Sequence, residues 1–323
     1  MKTKTKVWLT IAVLFIFGGL ALAGIGIAFG ATPNFTYFYS NGHINFKKGS
    51  EDLVYNTVEI DDFSRLTVSS NTIDVRIVEN ADKNCIIYNV PEDSVPTVTG
   101  TDSLKIEVPV KDNVFFFNFG DVNMDEDPYI IVNIHNGNKV RDFDINSSTG
   151  DISIENTSFN GSIKASTGDI RISSVTTGDI KIETSTGDIH LSDIDSAQVK
   201  VQTSTGESHF NDLTADGMTI KTSNGDVSIT DSDIDTIKLD GSTSDFKVAG
   251  SALRDINVKV STGDCKLDLT GDISDYSCSL SSSTGDIHYG GKEFEKRYSA
   301  ENGGNGSVVI TTSTGEIKVN FNK

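Results

Sequence analysis

The chain has little cysteine, proline and tryptophan, and few basic side chains. Its 323 residues include 3 Cys, 5 Pro and 1 Trp, and 27 Lys and Arg stand against 46 Asp and Glu, a formal net charge of −19. Three cysteines are too few for a disulfide scaffold, and their spacing matches no zinc motif. The acid excess disfavours binding to nucleic acid, or to an anionic membrane through a basic face. A hydrophobic content of 36% with regular patterning excludes a disordered chain.

One long apolar run lies at the N-terminus, where Val7–Ala31 contains no charged side chain. About 20 apolar residues suffice to cross a bilayer as a helix, and Lys2, Lys4 and Lys6 precede the run without any acid. We therefore predict an uncleaved single-pass membrane anchor, with a cytoplasmic N-terminus and the bulk of the chain extracellular. The alternative is a secretory signal peptide, because Ala21–Ala23 resembles a cleavage site.

These features predict four segments. Residues 1–6 form a cytoplasmic tail, 7–31 the transmembrane anchor, 32–57 a stalk, and 58–323 one extracytoplasmic β domain. The stalk prediction rests on aromatic residues mixed with Asn and Gly, a composition typical of a membrane interface followed by a linker. Within the β domain, residues 114–127 combine a run of phenylalanines with an acidic stretch, and we expect an irregular insertion there.

The second half of the chain repeats the tetrad Ser-Thr-Gly-Asp with small variations. Successive copies are separated by 18, 19, 19, 19, 19, 19, 22 and 30 residues. Five equal consecutive gaps indicate a repeat architecture. An additional copy, Thr176–Asp179, lies midway in one gap. The glycine position of the main copies is occupied by Gly150, Gly168, Gly187, Gly206, Gly225, Ser244, Gly263, Gly285 and Gly315.

Apolar residues alternate with polar ones on both sides of every tetrad. Counted from the glycine position, residues −7, −5 and −3 are mostly apolar or Thr, and residues +2 and +4 are apolar. Period-2 alternation on either side of a glycine turn predicts β-strands with one buried face. Upstream, Leu66, Val68, Ile73 and Val75 suggest the same offsets around Asn71, which extends the pattern toward the N-terminus.

Two geometries are compatible with this pattern. In an antiparallel meander, the tetrads would be hairpin tips. In a β-solenoid, they would form one corner of each coil and stack about 4.8 Å apart. A constant period favours the solenoid, because stacked copies bury one continuous core. We predict an all-β fold, a right-handed parallel β-solenoid with about 19 residues per coil, preceded by one transmembrane helix.

The residue after the glycine position is acidic in every copy. Stacked in register, these carboxylates would lie about 5 Å apart and repel one another by about 1 kcal/mol per pair at the surface. We favour the interpretation that hydrogen bonds between these carboxylates and the turn amides and hydroxyls offset the repulsion. The alternative is Ca²⁺ bridging adjacent coils, although the calcium-binding nonapeptide is absent. The candidate calcium ligands are Asp169, Asp188, Asp226, Asp245, Asp264 and Asp286.

The cysteines and histidines do not indicate a functional site of their own. Cys265 and Cys278 both fall at inward positions, where a buried thiol or a disulfide would fit. The histidines that follow the tetrads fall at the outward position +3 and recur too irregularly for a metal ladder, so we expect a solvated strand face there. No nucleophile elbow, phosphate loop or zinc-hydrolase motif occurs. We therefore predict no enzymatic activity and no cofactor.

Three features together resemble a known group: the lysine-flanked apolar segment, the opening Phe63–Val68, and the reiterated S-T-G-D-I-x-I. They are similar to the bacterial "putative adhesin" β-strand-repeat family, a domain of unknown function that includes proteins similar to the LiaG and LiaX envelope-stress components of Gram-positive bacteria. The resemblance covers about Val58–Val319. It implies an extracytoplasmic β-solenoid without established catalytic residues and, in some relatives, a response to envelope damage. The membrane anchor is closer to a LiaG-like layout.

Three functions are compatible with these observations. The first is a non-enzymatic, adhesin-like surface protein that binds an envelope or extracellular ligand. The second is an accessory component of cell-envelope stress sensing that acts through partner membrane proteins. The third, disfavoured one is a carbohydrate-active β-helix enzyme, which would need converging acids from neighbouring coils. The predicted partners are the membrane, through the N-terminal helix, and such a ligand or membrane protein, but no nucleic acid.

Overall fold

The computed structural model of the chain describes residues 35–40, 43–48, 53–109, 117–119 and 128–322. These residues contain 3-10 turns but no α-helix, and none of their helices is long and apolar enough to cross a membrane. The predicted anchor lies outside the described residues. The all-β prediction is confirmed for the described part of the chain.

Strands account for most of the described residues. In chain order the first thirteen are β1 (Phe35–Ser40), β2 (His43–Lys48), β3 (Leu53–Glu59), β4 (Arg65–Ser70), β5 (Asp74–Ala81), β6 (Cys85–Pro91), β7 (Thr97–Thr99), β8 (Ser103–Glu107), β9 (Phe117–Phe119), β10 (Tyr129–His135), β11 (Asp142–Ser147), β12 (Ile152–Glu155) and β13 (Asn160–Thr167). The others are β14 (Ile170–Thr186), β15 (Ile189–Thr205), β16 (Ser208–Asn224), β17 (Val227–Thr230), β18 (Asp233–Thr243), β19 (Phe246–Thr262), β20 (Cys265–Thr270), β21 (Tyr276–Thr284), β22 (Ile287–Tyr289), β23 (Lys292–Phe294), β24 (Arg297–Ala300), β25 (Gly306–Thr314) and β26 (Ile317–Asn322).

The strands divide into two units. In the smaller unit, β1 pairs with both β2 and β9 in a three-stranded antiparallel sheet. Strand β9 lies within residues 114–127, which were predicted as an irregular insertion, and the predicted stalk contains β1, β2 and most of β3. The domain boundaries themselves stay a prediction.

The larger unit is a parallel stack of coils, which we call the solenoid. From β14 to β19, each strand pairs in parallel with the residues 19 positions further along the chain, as in the pairing of Ile170 with Ile189. The tetrads therefore stack on one another and are not hairpin tips. The alternating residues fill the interior, because Ile170, Ile189 and Val227 are each at most 1% exposed. The right-handed sense of the coils stays a prediction.

At the corner of Gly206, glycine is required for a steric reason. Gly206 has a φ of +131°, and an added Cβ would lie 2.1 Å from the carbonyl oxygen of Gly187 in the preceding coil. The additional tetrad Thr176–Asp179 is different, since it lies inside β14 and its Gly178 does not have a positive φ. The tetrad sequence alone therefore does not mark a corner.

Upstream, the register differs by two residues from the prediction. Strands β5 and β12 place Val75 opposite Ile152. The glycine position is consequently occupied by Ile73, not by Asn71, and Asp74 follows at position +1. The error arose because this corner contains no glycine and because Ile73 is itself buried, at 2% exposure.

Coils at both ends of the solenoid stack in an order different from the chain order. At the N-terminal end, the coil of β4 and β5 lies between the coil of β8 and β10 and the coil of β11 and β12. At the C-terminal end, β25 lies between β19 and β21, and β26 lies between β20 and β22. The last coil in the sequence is thus inserted inside the stack.

Antiparallel strands cover the outermost coils. Strands β6 and β3 continue from β10, and β7 pairs with β8, so the N-terminal end finishes in antiparallel strands. Strands β23 and β24 pair antiparallel with β22 and β21 at the other end. These strands also reverse the direction of the chain at each end of the solenoid, because antiparallel neighbours can be joined by short turns.

Ser208 is a polar residue at an inward position, and its hydroxyl is not compensated by a hydrogen bond. Ser208 is 0% exposed, in the column between Ile189 and Val227, and its hydroxyl has no hydrogen-bond partner. Burying such a hydroxyl costs about 1–3 kcal/mol. We expect Ser208→Ala to raise the free energy of unfolding by about 1 kcal/mol in chemical denaturation. Ser251→Ala is the matched control, since Ser251 is equally buried but donates a hydrogen bond to the carbonyl of Ala249, and it should destabilise the protein.

Candidate functional site

The acidic residues at position +1 form a continuous column along one edge of the solenoid. We call it the acidic column. The parallel pairing brings together all six predicted residues, but Asp286 is adjacent to Glu316, which separates it from Asp264. The sequence reading missed Asp74, because the upstream register was misplaced. In spatial order the members are Asp74, Asp151, Asp169, Asp188, Glu207, Asp226, Asp245, Asp264, Glu316 and Asp286.

Most members of this column bind the backbone of the next coil. The Oδ1 of Asp169 accepts a hydrogen bond of 2.8 Å from the amide of Asp188, and Asp245 accepts one of 2.8 Å from Asp264. The same bond recurs in most coils, at 2.7–2.9 Å. The bond from the Glu316 amide is the main cause of the lowered pKa of Asp264. One carboxylate oxygen per coil is thereby used structurally.

A second column, at the outward position +3, lies beside the first and is rich in Arg, Lys and His, with Ser153 and Ser228 between them. We call it the basic column. Arg171 contacts Asp169 at 2.7 Å and Asp151 at 3.4 Å, and Lys266 contacts Asp264 at 3.3 Å. These pairs offset the repulsion between stacked carboxylates, together with the backbone hydrogen bonds. The members are Arg76, Arg171, His190, His209, Lys247, Lys266, Lys318 and His288.

Two histidines of the basic column are stacked. The rings of His190 and His209 are 5.0 Å apart and nearly parallel, at 12°. Burial is the main cause of the lowered pKa of His190, and the neighbouring His209 and Arg171 add to it. His209 is hydrogen-bonded to Glu207 at 3.1 Å. Among the described residues, no three His, Cys, Asp or Glu side chains are grouped to hold a metal ion. Calcium binding by the acidic column stays the untested alternative to the preferred structural role.

The cysteines do not form a disulfide in the structure, and Cys85, Cys265 and Cys278 are all free. Burial raises the pKa of Cys265 to about 12. Because the thiolate is the reactive form, we expect Cys265 to resist alkylation in the folded protein at pH 8 and to react fully in denaturant. Mass spectrometry after pulsed iodoacetamide labelling would measure this. Rapid native labelling at Cys265 would contradict the packing described here.

Sequence reasoning missed two further columns. One is at position +6, where residues other than glycine have φ between +50° and +55° and form a second corner. The signal was the recurrence of Asn and Asp, which tolerate this conformation. The other is a row of lysines on the face before the glycine corner, whose signal was Lys at position −6 or −4. The non-glycine residues of the second corner are Asn156, Ser174, Asp193, Asp212 and Asp231.

The family assignment follows from a match over most of the solenoid. Residues 63–320 match the family model described as Toastrack DUF4097. The chain belongs to the Toastrack DUF4097 family. This confirms the resemblance to a "putative adhesin" β-repeat family of unknown function.

Solved structures also resemble this Toastrack chain. A "putative adhesin" from Bacteroides fragilis has 13% identity and a TM-score of 0.45, with 83% of this chain and 97% of that chain covered. A "putative lipid binding protein" from Parabacteroides distasonis has 14% identity and a TM-score of 0.49, with 85% and 98% covered. A "putative adhesin" from Parabacteroides merdae has 12% identity and a TM-score of 0.47, with 84% and 98% covered. No curated protein sequence matches the chain.

Proposed function

We propose that this Toastrack chain is a non-enzymatic, adhesin-like protein anchored outside the cell by Val7–Ala31. Its stacked strand faces bind an envelope or extracellular ligand. The observation that carries the proposal is the register of the coils, which repeats the same outward positions in straight columns. Such columns present a regular, extended surface suited to a polymer or a large partner, in contrast to the single concave pocket typical of small-molecule sites.

The distribution of reactive groups supports binding over catalysis. Catalytic acids and bases converge at a unique place, whereas the carboxylates of this chain recur at one structural position and are engaged with backbone amides. The buried thiol of Cys265 is kept in its unreactive protonated form by its raised pKa. These features favour a scaffold whose side chains act collectively.

The proposal is tested with the full chain reconstituted in lipid nanodiscs of neutral composition. Isolated cell envelopes and extracellular matrix preparations are titrated against it in pull-down and biolayer assays. We expect saturable binding that survives Asp188→Asn and weakens when outward residues of three or more adjacent coils are changed together. A single carboxylate whose loss abolishes turnover of an envelope glycan, with folding preserved, would instead identify an enzyme.

Topology is tested separately in cells that produce the full chain with a C-terminal epitope. Detection of the epitope on intact cells, together with retention of the chain in the membrane fraction, is the expected result. Detection only after permeabilisation would overturn the extracellular location. Recovery of a shortened chain in the medium would replace the anchor with a cleaved signal peptide.

A further inference from the structure

One face of the solenoid carries a cation in each of six consecutive coils. Strands β13, β14, β15, β16, β18 and β19 each contribute one lysine, at position −6 or −4 before the glycine corner. All six side chains are exposed, and the parallel pairing places them one coil apart. We call this set the lysine row. Its members are Lys164, Lys181, Lys200, Lys221, Lys238 and Lys259.

The lysine row is locally positive in a strongly acidic chain. At positions −6 and −4 of these six coils, the acids are Glu183 and Asp240, so six lysines against two acids give a net charge of +4. Lys181 contacts Glu183 at 2.6 Å, and Lys238 contacts Asp240 at 3.8 Å. The whole chain, in contrast, carries −19. The segregation creates a positive strip that the overall composition conceals.

Three lysines of the row, two in its middle and one at its end, carry free ammonium groups. Within the described part of the chain, Lys200, Lys221 and Lys259 form no ion pair, and all three are exposed. The adjacent position −8 is acidic only toward the ends of the row, at Asp179 and Asp255. Between them this position holds Gln, Gly and Thr. An anion approaching the centre of the row therefore meets no carboxylate at these neighbouring positions.

Hydroxyl groups line the other side of the row. Position −2 is serine in all six coils, and each of these serines is exposed. With coils about 4.8 Å apart, the six lysines span about 24 Å along the stack. A line of ammonium groups therefore runs beside a line of hydroxyl donors. The serines are Ser166, Ser185, Ser204, Ser223, Ser242 and Ser261.

We propose that the lysine row binds a linear phosphodiester polymer, of the polyol-phosphate kind found in cell envelopes, extended along the solenoid axis. A phosphodiester has two non-bridging oxygens, so one can meet a lysine while the other accepts a hydrogen bond from a serine hydroxyl. The cations lie in a narrow band that is two strand positions wide, which matches charges spaced along a chain better than charges spread over a bilayer. Because lysine side chains are long and flexible, their ammonium groups can reach the phosphates even where the phosphate spacing differs from the coil spacing. This inference rests on the extracellular location in the proposed function and names its ligand.

The test uses the full chain in phosphatidylcholine nanodiscs and fluorescent poly(glycerol phosphate) as the probe. The test variant changes Lys200, Lys221 and Lys259 to Gln. The matched control changes Lys247, Lys266 and Lys318 to Gln, because these lie in three adjacent coils of the basic column and alter the net charge equally. All six side chains lie outside the core, so both variants should keep the fold of the parent chain. Loss of the partly exposed pair of Lys266 with Asp264 should lower the stability of the control by at most about 1 kcal/mol.

We expect the parent chain and the control to bind the polymer with similar affinity, and the test variant to bind on the order of tenfold more weakly or worse at low salt. For single-stranded polyanions, each neutralised phosphate contributes roughly 0.7 to the slope of log affinity against log salt. The slope should therefore fall by about 2 in the test variant. Glycerol phosphate monomer should compete poorly, because it cannot span several coils.

Several outcomes would overturn the inference. Equal losses in the two variants would show a non-specific charge effect. Equal or tighter binding of single-stranded DNA or polyglutamate would assign the row to another polyanion, and binding only to vesicles with phosphatidylglycerol would assign it to lipid. If envelope preparations bind both variants as well as the parent chain, the proposed function stands while the lysine row is not its site.

Discussion

Gly206→Ala is expected to destabilise the solenoid by about 2–5 kcal/mol, because the added Cβ meets both backbone strain and a backbone clash. The φ of +131° disfavours any side chain, and the neighbouring carbonyl oxygen of Gly187, 2.1 Å from the new carbon, cannot move without shifting a whole coil. Chemical denaturation monitored by circular dichroism measures the change. A lowered midpoint with an unchanged slope would indicate that the fold is retained at reduced stability.

The chain supplies a matched control in the additional tetrad. Gly178 has a similar local sequence, Thr-Thr-Gly-Asp compared with Ser-Thr-Gly-Glu at Gly206, but lies within a strand without a positive φ. A Cβ there would lie 2.8 Å from Oδ1 of Asn160, which accepts hydrogen bonds from the amides of Gly178 and Asp179. The Asn160 side chain is exposed, so it can shift while water satisfies these two amides. We expect Gly178→Ala to change the free energy of unfolding by less than about 1 kcal/mol. Equal effects of the two substitutions would contradict the steric account of the corner.

Two deletions of 19 residues are expected to differ widely in effect. Removing residues 305–323 deletes the inserted strands β25 and β26, so β21 and β22 lose the neighbours that join them to the stack. Four completely buried side chains are lost, at about 1.5–3 kcal/mol each, on the order of 6 kcal/mol or more in total. We expect aggregation or loss of cooperative unfolding. The lost side chains are Val308, Ile310, Ile317 and Val319.

The comparison deletion removes residues 188–206, which form one central coil. It joins Gly187 directly to Glu207, and the new neighbours remain in register because the pairing interval is 19 residues. We expect a shortened chain that folds cooperatively with moderately reduced stability, as for a repeat protein that loses one internal unit. Size-exclusion chromatography and thermal unfolding would distinguish the two products. A folded 1–304 chain alongside an unfolded central deletion would contradict the coil order described here.

The sequence was sufficient to predict the structure of the central coils, because the repeat interval, the apolar pattern and the turn residues all indicated the same register there. Inward residues such as Ile170, Ile189 and Val227 recur at one interval, and that interval sets both the register and the core. The same reasoning failed near Ile73, where no glycine marks the corner. It also failed at the chain ends, since the order of coils depends on how β23 and β24 return the chain, a non-local choice with no periodic signal.

The candidate site was predictable only in part. The repeat predicts that Asp169 and Asp188 stack. The residues of the basic column, which reduce the repulsion between these carboxylates, can be found in the sequence at position +3 of each copy. Their hydrogen bonds to the next coil required coordinates, because a carboxylate at a turn can bond to its own turn or to its neighbour. The lysine row remained hidden because its members alternate between positions −6 and −4, so neither position alone is consistently basic.

The antiparallel strands at the two ends of the solenoid affect whether copies of the protein associate when they are crowded together. A bare parallel coil would offer an open edge on which another copy could continue the same hydrogen-bond ladder, producing filaments. Here the final strands run in the opposite direction, and three of them, β7, β23 and β24, are only three or four residues long. Short edges of reversed polarity are poor templates for such growth. End-to-end growth of copies of this chain through these edges should therefore be disfavoured.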